Sequence, residues 1–79
     1  MTPDIVWGPA ALHVFYRLPI HSATMVDRAV IRLAEHGEGH LEWVAPYHRL
    51  RVGLFDVYLA IAPEARRVTV LRILRAPPR

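Results

Sequence analysis

The sequence predicts an α+β fold of the order β-α-α-β-β-β, with an antiparallel helix hairpin packed on one face of a mostly antiparallel sheet. Two observations predict it. Apolar residues recur at helical spacing between residues 9 and 36, and short runs of β-branched, aromatic and alternating residues fill residues 41–74. The length of 79 residues predicts one domain spanning 1–79.

The first half of the chain predicts one strand and two helices. Residues 5–7 are a short apolar run, and Pro9 suits the first turn of a helix that Pro19 is predicted to end. Ser22 is predicted to cap a second helix, which Gly37 ends. The apolar residues assigned to the buried faces of the two helices are Leu12, Phe15, Tyr16, Met25, Ala29, Val30 and Leu33.

The second half predicts strands. Residues 48–52 alternate, so leucine and valine face one side while two arginines face the other. Gly53-Leu54 allows only a tight turn, and residues 55–62 alternate again. Residues 68–74 are apolar on both faces except for Thr69 and Arg72, which is typical of a strand inside a sheet. Residues 41–45 offer one more short strand.

Several classes of function are excluded or disfavoured. The chain has no cysteine, so it has no disulfide, no zinc–thiolate site and no thiol nucleophile. It has neither an apolar run long enough for a membrane helix nor a basic secretory signal at its start, so we expect a cytoplasmic protein. His36 and His40 are four residues apart, but Gly37 and Gly39 break the helix that a metal pair would need. We therefore expect no metal and no cofactor.

Positive charge is concentrated in the predicted sheet. The chain has ten arginines and no lysine. Residues 1–48 carry three arginines against five carboxylates, a net −2, whereas residues 49–79 carry seven arginines against two carboxylates, a net +5. Guanidinium groups bind phosphates and carboxylates equally well. Such a surface suits a nucleic acid or an acidic protein segment, and the alternative is a solvated sheet face in a genome biased toward arginine.

The order and spacing of several short motifs resemble a known family. They are the opening IVWGPAA at 5–11, YRLP at 16–19, YHRLRVG at 47–53, the turn APEA at 62–65 and VTVLR at 68–72. Together they resemble the RelE/ParE superfamily of bacterial toxins over nearly the whole chain. The resemblance implies the toxin of a type II toxin–antitoxin pair. It also implies an antitoxin that wraps an extended or helical segment over the toxin.

Two activities occur on this fold. RelE-like members cut messenger RNA in the ribosomal A site, and ParE-like members block DNA gyrase. RelE-like toxins use basic residues on the outer face of the sheet, and Arg49 and Arg51 match such positions. Arg75 matches the basic residue that follows the last strand. The resemblance therefore implies Arg49, Arg51 and Arg75 as catalytic residues.

The chain departs from the family pattern at three places. Asp56 stands where the family usually has an arginine, and Ala76 replaces a basic residue. The family's final helix, with its tyrosine, has no counterpart in residues 1–79. Pairing of Asp56 with Arg49 or Arg51 across the hairpin would neutralise that part of the surface.

Further residues are predicted to bind substrate or partner. Tyr47 and Tyr58 lie on the arginine side of their strands and suit base stacking or a partner contact, and Arg72 adds a cation. Arginine cannot accept a proton, so the general base is left open. His48 is nearest in sequence but has the parity of the core-facing Leu50.

The predicted function is a toxin that inhibits translation as a ribosome-dependent mRNA endoribonuclease. The alternatives are a DNA gyrase inhibitor and a degenerate toxin acting as a binding module for an acidic peptide. The expected partners are the antitoxin in a hetero-oligomer and either the ribosome with mRNA or gyrase, without a membrane. Replacing Arg49 and Arg51 by alanine is expected to abolish growth arrest with the fold intact.

Overall fold

The computed structural model describes residues 3–77. Its elements in chain order are β1 (Asp4–Trp7), α1 (Pro9–Phe15), α2 (Ile20–His36), β2 (His40–Val44), β3 (Tyr47–Val52), β4 (Phe55–Ala62) and β5 (Arg67–Arg75), with a 3₁₀ turn at Pro63–Ala65 between β4 and β5. The strands form one sheet in the order β1-β5-β4-β3-β2. β1 runs parallel to β5, and all other neighbours are antiparallel.

The predicted α+β class and element order are confirmed. The further strand offered by residues 41–45 does form, as His40–Val44, so four strands follow the helices. The strand predicted to be interior, β5, lies between β1 and β4. Because β2 and β1 are the two edges, any residue on β2 is close to solvent and open to partners.

The core lies between the helices and one face of the sheet. Leu50, Val57, Leu59 and Val70 are fully buried, and so is Val30 of α2. The alternation predicted for β3 and β4 is therefore confirmed. The remaining buried apolar residues of the core are Ala11, Val26, Leu33, Ala34, Val52, Val68 and Ile73.

Two residues assigned to the helix cores are exposed. Tyr16 follows the end of α1 at Phe15 and is 76% exposed. Met25 is 40% exposed, because the buried stripe of α2 runs through its neighbour Val26. Side chains of adjacent residues on a helix point about 100° apart. Because the buried stripe passes through Val26, the side chain of Met25 points away from the core.

The predicted start of α2 is wrong and its predicted end is confirmed. The helix begins at Ile20, after Pro19, so Ser22 lies within its first turn and is not the cap. At the other end Gly37 adopts φ 68°, and its N–H donates to the carbonyl of Leu33 at 2.9 Å. Glycine reaches this left-handed conformation without the steric cost of a side chain. None of the helices in residues 3–77 is long and apolar enough to cross a bilayer.

Candidate functional site

Strand register brings most of the predicted site residues together on the sheet face opposite the core. Cross-strand partners share a face, so the pairings define two rows across β2, β3, β4 and β5. The first row is Glu42, Arg49, Tyr58 and Arg72, and the second is His40, Arg51, Asp56 and Leu74. We call these two rows, with Tyr47 of β3, the arginine face.

Arg51 is held by a buried carboxylate. Its Nε donates to Oδ1 of Asp56 at 2.6 Å, and the Asp56 side chain is 4% exposed. This pairing across the β3–β4 hairpin was one of the two predicted for Asp56, and it is confirmed. The contact is made by Nε, and neither Nη group of Arg51 makes a hydrogen bond within residues 3–77, so both can donate to a ligand.

Arg49 is held by an exposed carboxylate, with the Tyr58 phenol on the neighbouring strand. Its Nη2 donates to Oε2 of Glu42 at 2.7 Å, and the Glu42 side chain is 68% exposed. The Tyr58 side chain raises the pKa of the Arg49 guanidinium, and the charge of Glu42 raises it further. Arg49 therefore stays cationic at every working pH and serves as a fixed charge, not as an acid or base.

Of the two arginines in the first row, Arg72 has no carboxylate partner within residues 3–77. It sits across β4 from Arg49, with Tyr58 between them. A shallow cavity of about 300 Å³ opens here, lined by Tyr47, Tyr58, Leu71, Arg72 and Leu74. The two tyrosine rings and two leucines beside one guanidinium suit a flat, partly apolar group next to a negative charge, such as a nucleobase with its phosphate.

A second cleft of about 350 Å³ lies at the β2 side of the face. Its lining consists of His40, Leu41, Glu42, Arg49 and Arg51. Both arginines thus border a space large enough for a phosphodiester, and one imidazole borders the same space. The two ion pairs leave this cleft with balanced charge, because each arginine in it has one carboxylate partner.

The predicted catalytic residue Arg75 does not join the other arginines. It pairs with Phe55 at the end of β5 and has the parity of the buried Ile73, so it belongs to the opposite side of the sheet. Arg49, Arg51 and Arg72 therefore share one surface of the sheet, and the predicted catalytic residue Arg75 lies on the other.

His48 lies where its parity predicted. It pairs with the buried Leu59 on β4 and with Trp43 on β2, and its ring packs edge-on against the Trp43 indole at 4.9 Å between centroids. The histidine nearest the arginines in sequence is therefore on the wrong side of the sheet to act on a ligand bound there.

Sequence reasoning missed His40 and Glu42 as site residues. His40 was considered only as a metal ligand with His36, and Glu42 only as a charge. The signal was present in the two-residue connection between β2 and β3, which sets Glu42 opposite Arg49 and His40 opposite Arg51. This connection indicates the pairing of Glu42 and His40 only if residues 40–44 are known to form a strand.

Comparison with known proteins places the fold. No protein-family model and no curated protein sequence matches the chain. Among solved structures, the chain is similar to the archaeal RelE–RelB complex of Pyrococcus horikoshii OT3, with TM-score 0.79 and 12% identity over 95% of this chain and 96% of that chain. It is also similar to the intact Escherichia coli RelBE toxin–antitoxin complex, with TM-score 0.77 and 11% identity over 96% and 99% of the two chains.

A third similar structure is the toxin–antitoxin complex RelBE2 of Mycobacterium tuberculosis, with TM-score 0.64 and 17% identity over 95% of this chain and 99% of that chain. All three likenesses extend over nearly the full length of both chains, although few residues are identical. The resemblance first indicated by short sequence motifs is thus confirmed in three dimensions, and the chain has the RelE fold.

Proposed function

We propose that this protein is the toxin of a type II toxin–antitoxin pair and that it cleaves messenger RNA bound on the arginine face. The observation that carries the proposal is the convergence of Arg49, Arg51 and Arg72 on one outward surface of a RelE fold, with Tyr58 between two of them. Function cannot be taken from fold alone, so the argument rests on the chemistry of this face.

Phosphate binding is supported by the number and direction of the cations. Three arginines against two carboxylates leave the face with net charge +1. Within residues 3–77 Arg72 has no carboxylate to displace, and the Nη groups of Arg51 make no hydrogen bond. The tyrosine-lined cavity lies beside Arg72, so a base stacked there brings its phosphate toward Arg49.

An antitoxin is the natural partner on this proposal. The neighbours of similar fold are RelE–RelB complexes, and this chain exposes large apolar side chains that a partner segment would cover. Trp43, Leu54 and Ile20 are 62%, 62% and 83% exposed. We propose a toxin–antitoxin hetero-oligomer in the cytoplasm, with the ribosome and its mRNA as the target of the free toxin.

The test is cleavage of a defined mRNA on programmed ribosomes by purified protein. Arg49→Ala with Arg72→Ala removes two cations of the face, and Arg28→Ala with Arg32→Ala is the matched control. Both control arginines are exposed on α2 and are not on the arginine face. We expect ribosome-dependent cuts with the wild type and the control, and a loss of at least about 100-fold in the face variant. Absence of cuts by the wild type would overturn the proposal.

One observation favours gyrase inhibition as a second candidate. Asp56 and Glu42 neutralise Arg51 and Arg49, and a face with paired charges suits a protein surface as well as a nucleic acid. A gyrase supercoiling assay with the same three proteins separates the two. Inhibition of supercoiling without mRNA cleavage would support the second candidate.

A further inference from the structure

We propose that His40 is the general base of the arginine face and takes the proton of the attacking ribose 2′-hydroxyl. The inference rests on the proposed RNA cleavage and names the proton acceptor that the arginines cannot supply. It follows from which groups on this face can change protonation, and from where β2 places the imidazole.

Elimination on the arginine face leaves one free proton acceptor. Guanidinium groups stay charged. Asp56 is buried and accepts a 2.6 Å hydrogen bond from Arg51, and Glu42 accepts one of 2.7 Å from Arg49. Uptake of a proton by either carboxylate would weaken the ion pair that it makes with its arginine. His40 is exposed and makes no hydrogen bond or ion pair with any residue between 3 and 77.

The position of His40 fits the task. It is the cross-strand partner of Arg51 and lines the 350 Å³ cleft together with both β3 arginines. Directly opposed residues in an antiparallel pair have Cβ atoms about 5 Å apart. A phosphate that is hydrogen-bonded to the Nη groups of Arg51 would therefore lie close to the imidazole of His40.

The remaining histidines are not placed to substitute. His48 packs on Trp43 at the other face of the sheet, and His13, His21 and His36 belong to the helices. The charged groups that face His40 are Glu42 on its own strand, Arg49 and Arg51 on β3, and Asp56 on β4. Two of these four groups are cations and two are anions, and they form two ion pairs.

The proposed step needs no co-reactant. The imidazole nitrogen of His40 accepts the 2′-hydroxyl proton while the 2′-oxygen forms a bond to phosphorus. The bond from phosphorus to the 5′-oxygen breaks, and that oxygen takes a proton from water. The hydroxide left behind takes the proton from His40, which restores the water and the neutral imidazole. The products are a 2′,3′-cyclic phosphate and a 5′-hydroxyl, and the arginines neutralise the negative charge that builds on the phosphoryl oxygens.

The test compares His40→Gln with His36→Gln in single-turnover cleavage of mRNA on programmed ribosomes. Glutamine keeps the size and hydrogen bonding of the side chain but accepts no proton. We expect His40→Gln to lower the cleavage rate by at least about 100-fold. It should also remove the fall in rate at acidic pH, and it should leave affinity for a 2′-deoxy-substituted, uncleavable RNA unchanged. His36→Gln should match the wild type.

The outcomes separate this inference from the proposed function. A wild type that cuts while His40→Gln cuts equally fast, or keeps the same pH profile, overturns the assignment of His40 and leaves the toxin proposal standing. A wild type that does not cut overturns both. If His40→Gln unfolds at the same temperature as the wild type, its lower cleavage rate is not caused by unfolding. If glutamine perturbs β2, His40→Ala is used for the same comparison.

Discussion

At the scale of single residues, Arg49 and Arg51 form ion pairs of different burial, so we expect their substitution to affect stability differently. Arg51 is tied to a carboxylate that the sheet has removed from water, and Arg49 is tied to one that water still reaches. A buried charge that loses its partner retains its full cost of desolvation, whereas an exposed ion pair contributes little. The expectation that both arginines can be removed with the fold intact is therefore revised for Arg51.

Arg51→Ala is expected to lower the free energy of unfolding by about 1–3 kcal/mol, because it leaves Asp56 buried and unpaired. Arg49→Ala is the control and should cost clearly less than Arg51→Ala, since Glu42 is exposed. Urea denaturation measures both. The double variant Arg51→Ala, Asp56→Ala should recover part of the loss, and equal losses for the two single arginine variants would contradict the buried pairing.

Glu42→Gln is expected to strengthen binding of an uncleavable single-stranded RNA by about two- to fivefold. The reason is that Glu42 competes with phosphate for the Nη2 group of Arg49. Glu64→Gln removes the same charge from the exposed turn between β4 and β5 and serves as the control. Fluorescence anisotropy at fixed salt provides the measurement. Unchanged or weaker binding in Glu42→Gln would mean that phosphate does not use Arg49.

At the scale of elements, the edge strand β2 decides what the arginine face contains. It contributes His40 and Glu42, and the two-residue connection between β2 and β3 sets its register. Alternation in residues 48–52 and 55–62 was sufficient to predict the faces of β3 and β4. It was insufficient for β2, because five residues ending in a proline turn do not by themselves reveal pairing. The predicted helix start at Ser22 failed for a related reason, since several polar residues compete as caps.

Gly39→Ala tests how closely the start of β2 packs against Leu50 of β3. Gly39 adopts φ 137°, and a Cβ there would approach Cδ1 of Leu50 to 2.7 Å. We expect a loss of about 1–3 kcal/mol in unfolding free energy. Gly37→Ala is the control, because its φ of 68° is less restricted and a Cβ there meets nothing within 4 Å. A smaller loss at Gly39 than at Gly37 would contradict the packing of β2 on β3.

At the scale of the whole molecule, the fold separates stability from binding. The helices and the inner sheet face make the core, and the outer face carries the cations, so changes on one side act weakly on the other. Periodicity predicted this division, because arginines alternate with buried residues in β3. It also puts Arg72 and Arg75, three residues apart, on opposite faces, but it could not predict which of the two faces outward. The register shift in β4–β5 between Tyr58 and Leu59 alters the pairing along β5, and such a shift has no clear mark in the sequence.

The central claim is that the outward arginines hold RNA for cleavage, and primer extension on cellular mRNA after induction tests it most directly. Expression of the wild type or of the helix variant Arg28→Ala, Arg32→Ala should arrest growth. It should also produce new mRNA ends that lie inside codons being translated by the ribosome. Arg49→Ala with Arg72→Ala, which avoids disturbing Asp56, should give neither while the protein accumulates in folded form. New ends of equal intensity in all three strains, or arrest without any new ends, would contradict the account.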